Sequence, residues 1–497
     1  MPVHPLTSAV LQVKPSESLS AASQVIAVDL DGTLVLTDTL HESLLLLVKQ
    51  AFFLIFLLPI WLMQGKAAFK SKIAERVSLN PALLPFNQTL IDWLIEQRES
   101  GKKIVLTTAA DQRIANAVAE HVGFFDQVLA SDGTTNNASS NKSQLLDERF
   151  GPNNWDYVGN SKADLAVWKS ANSAIVVNAS AVVLQKAQQE GNVRLVLPAT
   201  KVIALDWLKV TRLHQWLKNL LLFIPLLAAH QFGNLEALST LVVAFISFSF
   251  CASAVYIAND LLDLDSDRQH PRKRHRPFAS GVVPVHIGFI LVPALALLSL
   301  VLALWVGHAF TAWLVFYFAV TTAYTLWLKK LVLVDCLTLA GLYTLRIIAG
   351  AAAVSVALSF WLLAFSVFIF LSLAFVKRFA ELQAQADAGS NTAHGRGYLV
   401  SDQSLIQTLG VTAGYAAVLV LALYLHSDSV LTLYAQPELI WPAVPLMLFW
   451  VSWIWMKAHR GQMHDDPIVF AIKDKSSLSV VALVFLSFVI ASKGFAN

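Results

Sequence analysis

Asn259-Asp260-Leu261-Leu262-Asp263-Leu264-Asp265-Ser266-Asp267-Arg268-Gln269-His270-Pro271-Arg272-Lys273-Arg274-His275-Arg276-Pro277 is the stretch on which the reading of this chain turns. Four carboxylates and one amide fall within nine positions, at the end of an apolar run, Leu241 to Ala258, long enough to enter a bilayer. If the segment stays helical, Asn259, Asp260, Asp263 and Asp267 share one face, at spacings of three and four. Such a face offers hard oxygen ligands, which suit Mg²⁺ held jointly with a phosphorylated substrate. Arg272, Lys273 and Arg276 follow as a cationic rim for further phosphate. A merely solvated loop would need no carboxylate row before its basic cluster, and carboxylates at a membrane boundary are costly without a partner.

Working outward, the composition agrees. The 497 residues are 56% hydrophobic and 14% charged, with a mean hydropathy of +0.59, too apolar for an ordinary soluble protein. The net charge of +3 decides little, because its distribution matters more. Cys251 and Cys336 both lie in apolar runs, which argues for no disulfide framework. The first 22 residues lack a basic start followed by an apolar core, so no cleavable signal peptide is expected. Composition changes near residue 210, from a mixed α/β pattern to apolar runs of spanning length.

In the first part, residues about 20–200, Gln24-Val-Ile-Ala-Val28 is a β-type run ending in Asp29-Leu-Asp31-Gly32-Thr33. Strand, acidic glycine loop, then helix is the layout of a doubly wound α/β fold with its site at the strand's carboxyl end. A carboxylate can attack phosphorus while a second one, two residues on, protonates the leaving group. Asp-x-Asp-Gly-Thr is similar to motif I of the haloacid dehalogenase (HAD) superfamily. The resemblance implies Asp29 as nucleophile and Asp31 as general acid/base. It continues in order: Ile104-Val-Leu-Thr-Thr108 resembles motif II, with Thr108 favoured over Thr107; Lys142 stands at motif III; Tyr157-Val-Gly159-Asn160-Ser-Lys-Ala-Asp164 resembles motif IV. Asn160 replaces the usual first acid, so one charge is lost from the expected Mg²⁺ ligands Asp29, Asp31, Asn160 and Asp164. A non-catalytic domain is the alternative reading. The apolar insertion at about 44–63 would part motifs I and II if it crossed the membrane; it is expected instead as a cap element at the membrane interface or against the second domain.

After residue 210, nine spans are expected, at about 216–231, 236–258, 284–306, 309–328, 332–355, 358–376, 404–426, 438–457 and 477–495. The loops on the side of the aspartate row carry fourteen Lys and Arg, and the far side has only Lys493. This charge bias places the aspartate row and the α/β domain in the cytoplasm, and the chain in the inner membrane as a multi-pass protein. Gln215, Lys218 and Asn219 open the first span. Tyr324, Lys329 and Asp335 bracket a short loop, and Arg346 lies within a span, on the same face as Asp335. Lys377, Arg378 and Glu381 end the sixth span, and His464-Asp465-Asp466-Pro467 precedes the last. Together these residues are expected to line a cationic, carboxylate-bearing cavity open to the cytoplasm.

The pattern N-D-x-x-D-x-x-x-D followed by R-P-F-A-S-G resembles the first aspartate motif of the UbiA superfamily of intramembrane prenyltransferases, and nine spans match its helical fold. Typical members carry a second Asp-x-x-x-Asp after the sixth span. Here that place reads Lys377-Arg378-Phe-Ala-Glu381-Leu, which suits phosphate bound without an intervening metal. With Gln-Trp-x-Lys-Asn and Asp-Pro-Ile-Val-Phe-Ala, it resembles the decaprenyl-phosphate phosphoribosyltransferase branch. The resemblance implies residues 210–497 as a Mg²⁺-dependent transferase, with Asn259, Asp260, Asp263 and Asp267 as metal ligands and Asp260 and Asp263 as catalytic. It would move 5-phosphoribosyl from phosphoribosyl pyrophosphate to polyprenyl phosphate, and the HAD-like domain would then remove the 5-phosphate, supplying a lipid-linked pentose for cell-envelope glycans. Gln215, Lys218, Asn219, Arg272, Lys273, Arg276, Tyr324, Lys329, Arg346, Lys377, Arg378 and Glu381 are the expected substrate contacts. One Mg²⁺ site is expected per domain. The bilayer is a further partner, nucleic acid is not, and a homo-oligomer stays open. The alternatives are a prenyl-diphosphate-dependent enzyme acting on an aromatic or quinone precursor, and a transferase with an inert HAD module.

Overall fold

Val25–Val28 is a run of four apolar residues with every side chain buried, the mark of a strand covered on both faces. It is β2 of a seven-stranded sheet ordered β1-β7-β6-β5-β2-β3-β4. The other strands are β1 (Leu11–Gln12), β3 (Lys103–Asp111), β4 (Gln127–Ser131), β5 (Trp155–Gly159), β6 (Ala174–Val177) and β7 (Val193–Leu197). All pairings are parallel except that of β1 with β7. Ile26 and Val28 pack with Leu94 and Leu106 on one face; Ala27 and Val105 pack with Trp155, Tyr157 and Trp168 on the other. The carboxyl ends of β3, β2 and β5 therefore lie side by side and present Asp29 and Asn160 from neighbouring strands.

The chain is a computed structural model that describes residues 11–12, 23–190, 192–199, 201–231, 233–387, 389, 396–463 and 466–493. It divides into two compact units, Met1–Thr211 with Ile257–Leu291, and Arg212–Tyr256 with Val292–Asn497.

Within the first unit the apolar insertion is not one helix. Thr39–Gln50 stops at Ala51, whose φ of −149° and ψ of 66° leave the helical region, and a 3-10 run Phe52–Leu57 and a short helix Leu58–Met63 follow. Leu47, Trp61, Ile73 and Val77 form a small core under it. Phe52, Phe53, Phe56, Ile60, Leu62 and Met63 face outward, with Phe53 82% and Met63 88% exposed. The insertion is thus an amphipathic ledge, too short and too broken to span.

Eight helices among the described residues are long and apolar enough to cross a membrane: Leu235–Leu262, Val285–Val306, His308–Leu326, Val334–Ala353, Phe360–Asp387, Val400–Leu425, Pro437–His459 and Lys475–Ser492. They answer to the second through ninth expected spans. The first expected span is corrected: Leu213–Phe223 is a 3-10 run, followed by the five-residue helix Ile224–Ala228. Pro225 supplies no amide and sits at the start of that helix, where the loss is tolerated. The run is pressed against Val334–Ala353, where a Cβ on Gly350 would lie 2.0 Å from the Leu222 carbonyl oxygen, so only glycine fits.

The aspartate row also departs from one unbroken helix. Leu235–Leu262 ends before Asp263, which takes φ −97° and ψ 12° and caps the short helix Leu264–Gln269. Hydrogen bonds from the Asp263 amide to Asn259 and from the Asp267 amide to Asp263, at 2.9 and 2.8 Å, keep the two helices nearly in register.

Candidate active sites

Asp29 leaves β2 with its amide bonded to the Val158 carbonyl of β5 at 3.0 Å. Lys142, from helix Ser140–Phe150, places its buried Nζ 2.8 Å from Asp29 Oδ1 and 2.8 Å from the Tyr157 hydroxyl. Tyr157 donates to Asp164 Oδ1 at 2.7 Å, and Asp164 Oδ2 accepts the amides of Asn160 and Ser161. The residues read as motifs I, III and IV thus form one hydrogen-bonded chain. Tyr157 was not singled out by the sequence, although it sits inside the motif IV strand; it joins lysine to acid.

Burial pushes the Asp29 carboxyl up to about 6 against the pull of Lys142, and burial with the nearby Asp38 charge pushes Asp31 up to about 7. A carboxyl that is partly protonated at neutral pH suits a general acid. Asp31 Oδ1 also accepts the Thr39 amide at 2.8 Å. Gly32, at φ +72°, lets the Asn160 side chain lie against the motif loop; a Cβ there would be 2.1 Å from Asn160 Nδ2. Asn160 Oδ1 is buried without a hydrogen-bond partner, which costs energy unless a ligand takes it up. An orphaned hard oxygen beside Asp29 and Asp31 fits a Mg²⁺ ion. The Thr108 hydroxyl accepts the Ala110 amide at 3.0 Å, whereas the buried Thr107 hydroxyl has no partner. Lys70, from helix Lys66–Ala74, donates to the Ala109 carbonyl at 2.7 Å and lines the same cleft as Asp31, Thr39 and Asp111. Burial lowers its pKa.

At the aspartate row, Arg276 Nη1 bridges Asp260 at 2.9 Å and Asp267 at 2.6 Å. Burial raises the Asp267 pKa and Arg276 opposes it. Two of the predicted ligands therefore already converge on one cation. No group of three or more His, Cys, Asp or Glu side chains is placed to hold a metal among the described residues. Asn259 and Asp263 are half-buried, and Arg272 and Lys273 are exposed.

In the second unit the predicted polar residues separate into distinct clusters. In one, Lys218 Nζ lies 2.6 Å and Lys377 Nζ 3.5 Å from Asp466 Oδ2, and Tyr343 donates to the same carboxylate at 3.3 Å. Burial alone would raise the Asp466 pKa; Lys218 and then Lys377 outweigh it and hold the carboxyl well below its usual range. Among the described residues two ammonium groups share one carboxylate, which leaves a positive balance. Beside it, Arg346 donates to Asn219 Oδ1 (2.9 Å), the Leu342 carbonyl (2.6 Å) and the Tyr317 hydroxyl (3.0 Å), and lies over the rings of Phe248, Tyr317 and Tyr343. These polar and aromatic partners replace the expected neighbour Asp335.

Asp335 belongs to the other cluster. It forms an ion pair with Arg378 at 2.5 Å and accepts Arg396 at 3.2 Å and the Tyr398 hydroxyl at 2.5 Å. Glu381 closes this cluster on Arg378 and Arg396, and Tyr324 meets Arg396. Here two guanidinium groups meet two carboxylates. Lys377 and Arg378, consecutive on one helix, point into different clusters because successive side chains diverge by about 100°. Gln215 and Lys329 are half-buried, and His464 and Asp465 lie outside the described residues.

The UbiA prenyltransferase family model matches residues 220–474. The chain belongs to the UbiA prenyltransferase family. It is a multi-pass membrane enzyme of that family, joined to an N-terminal α/β domain. An uncharacterized protein of Sinorhizobium fredii is 37% identical over 470 residues, which is 93% of this chain and 90% of that one. The decaprenyl-phosphate phosphoribosyltransferase of Mycolicibacterium smegmatis is 32% identical over 292 residues, 57% of this chain and 89% of that one. Among solved structures, a UbiA homolog from Archaeoglobus fulgidus bound to GPP and Mg²⁺ covers 57% of this chain and 99% of its own, at 17% identity and a TM-score of 0.44. A HAD family hydrolase from Salmonella enterica covers 33% and 64%, at 19% identity and a TM-score of 0.26.

Proposed function

We propose that this UbiA enzyme transfers a 5-phosphoribosyl group from phosphoribosyl pyrophosphate to a polyprenyl phosphate, and that its HAD-like domain removes the 5-phosphate from the product. The observation that carries the reading is the Lys218–Asp466–Lys377 cluster, a surplus of positive charge where a second aspartate motif would hold a metal-bound diphosphate. Similarity to decaprenyl-phosphate phosphoribosyltransferases supports the choice of donor and acceptor.

Asp260, Asp267, Asn259 and Asp263 would hold Mg²⁺ together with the donor's diphosphate, and the ion would neutralise charge on the departing pyrophosphate. Arg276, which now neutralises Asp260 and Asp267, is positioned to follow the diphosphate instead. Lys218 and Lys377 hold a phosphate of the lipid or of the ribose. The lipid phosphate is already anionic, so the attack on the ribosyl carbon requires no general base. In the α/β domain Asp29 attacks the monoester phosphorus, Lys142 steadies the charge on the transferred phosphoryl group, and Asp31 gives its proton to the leaving ribose oxygen; water, giving a proton back to Asp31, then hydrolyses the aspartyl phosphate to inorganic phosphate and free Asp29. Asn160 and Asp164 would complete the Mg²⁺ site. The reading places the aspartate row and the α/β domain on the cytoplasmic side, with the Phe52–Met63 ledge at the membrane interface, where a lipid-linked monoester is met.

The test is to incubate purified protein with polyprenyl phosphate, labelled phosphoribosyl pyrophosphate and Mg²⁺, then resolve the lipid phase. Wild type should release pyrophosphate and inorganic phosphate. Asp29→Asn should stop phosphate release, keep transfer and accumulate the phosphorylated lipid. Asp260→Asn should abolish transfer. A wild-type protein that consumes prenyl diphosphate and ignores prenyl phosphate would sink the reading.

A further inference from the structure

Glu42 lies in the first turn of Thr39–Gln50, the helix whose opening amide bonds Asp31. Its carboxylate is buried, accepts the Thr37 hydroxyl at 2.7 Å, and is gripped by Arg268 through Nη1 at 3.1 Å and Nη2 at 2.6 Å. Arg268 follows Asp267 on Leu264–Gln269, and its Nε donates to the Ala279 carbonyl at 3.0 Å. One buried guanidinium thus ties together the motif I helix, the aspartate-row helix and the loop after it, across 226 positions of sequence. A second contact runs parallel to the first. Gly281, at φ +76°, sits so close to Leu36 and Pro85 that a Cβ would lie 2.8 Å from Leu36 Cβ and 3.3 Å from Pro85 Cγ. Leu36 donates to the Pro85 carbonyl at 2.8 Å, and a bridge joins Val35 to Phe86. These positions flank the segment, residues 37–84, that carries the apolar ledge.

Neither Glu42 nor Arg268 belongs to either motif, and neither half of the proposed chemistry uses them. A buried pair of this kind pays a desolvation cost that a surface pair avoids, so its worth lies in what it positions. We infer that Glu42 and Arg268 are positioning residues that link the two sites, so that a change at the Asp267 helix is felt at the Asp31 loop, and the reverse. The link rests on the two-activity reading above.

The test uses the full-length protein with Arg268→Gln, Glu42→Gln and the exchange Glu42→Arg with Arg268→Glu, followed by hydrogen exchange and by hydrolysis of p-nitrophenyl phosphate, a monoester that needs no transferase. Arg268→Gln should speed exchange of the amides of residues 34–43 while those of Val25–Val28 keep their wild-type rates, and should lower monoester turnover about tenfold, the cost of a modest misplacement. Glu42→Gln should speed exchange across residues 264–283, and the charge exchange should recover part of both losses. Unchanged exchange in both single variants overturns the link. Faster exchange throughout the sheet also overturns it, since the pair would then merely hold the fold, and so does faster local exchange with turnover unchanged. If wild type hydrolyses no monoester, the phosphatase reading falls, while the exchange rates still decide the link.

Discussion

Lys377 and Arg378 are neighbours on one helix, yet they serve two ionic clusters with opposite balances. Around Asp466, Lys218 and Lys377 leave positive charge in surplus. Around Asp335 and Glu381, Arg378 and Arg396 are matched charge for charge. A matched cluster neutralises its own charge, and removing its buried carboxylate, Asp335, strands two guanidinium groups. A surplus is an invitation to an anion from outside. On the proposed function, net charge within a cluster, rather than the presence of a cation, would separate a scaffold residue from a phosphate ligand in this membrane unit.

The sharpest way to break the comparison is Asp335→Asn. Among the described residues it leaves Arg378, which is fully buried, and Arg396 with the partly exposed Glu381 as their one carboxylate partner, at a cost of about 3–5 kcal/mol out of a total stability of about 5–15. The variant should yield little monodisperse protein in detergent and melt well below wild type; a normal melt would show that the balanced cluster is not structural. Next in size is Lys377→Ala. Loss of one charged hydrogen bond to phosphate, about 1.5–3 kcal/mol, should raise the KM of one phosphorylated substrate about 10- to 100-fold while the melting curve stays close to that of wild type. A lower melting temperature with an unchanged KM would erase the distinction drawn between the clusters. The smallest effect belongs to Glu381→Gln. Glu381 is 36% exposed at its side chain, and its pairs are worth at most about 1 kcal/mol. Transfer kinetics should not move, and differential scanning should show a shift of a few degrees at most.

Much of this was legible in the chain. The β2 run and the Asp29–Asp31 loop needed only local pattern, because a buried strand and a glycine turn are dictated by adjacent residues. Lengths of the apolar runs gave the spans, apart from the first, where Pro225 and the close approach at Gly350 favour a 3-10 run. The partners of the buried charges were harder to read. Arg346 and Asp335 share a helix and look paired at a spacing of eleven, yet each is satisfied by residues remote in sequence: Asn219 and Tyr317 for one, Arg378, Arg396 and Tyr398 for the other. Hydroxyls are harder still, since Tyr157 and Tyr343 carry no charge pattern to betray a link between an acid and a lysine. The break at Asp263 was invisible because its flanking amides keep their helical bonds.

The outward row Phe52, Phe53, Phe56, Ile60, Leu62 and Met63 has a practical consequence. A fragment joining residues 1–211 to 257–291, the whole of the first unit, would carry this greasy shelf into water with no complete transmembrane helix to explain it. Such a fragment should sediment with liposomes and demand detergent for handling. Replacing Phe53 and Met63 with serine should release it to the supernatant, because those two side chains present the most exposed apolar surface on the shelf.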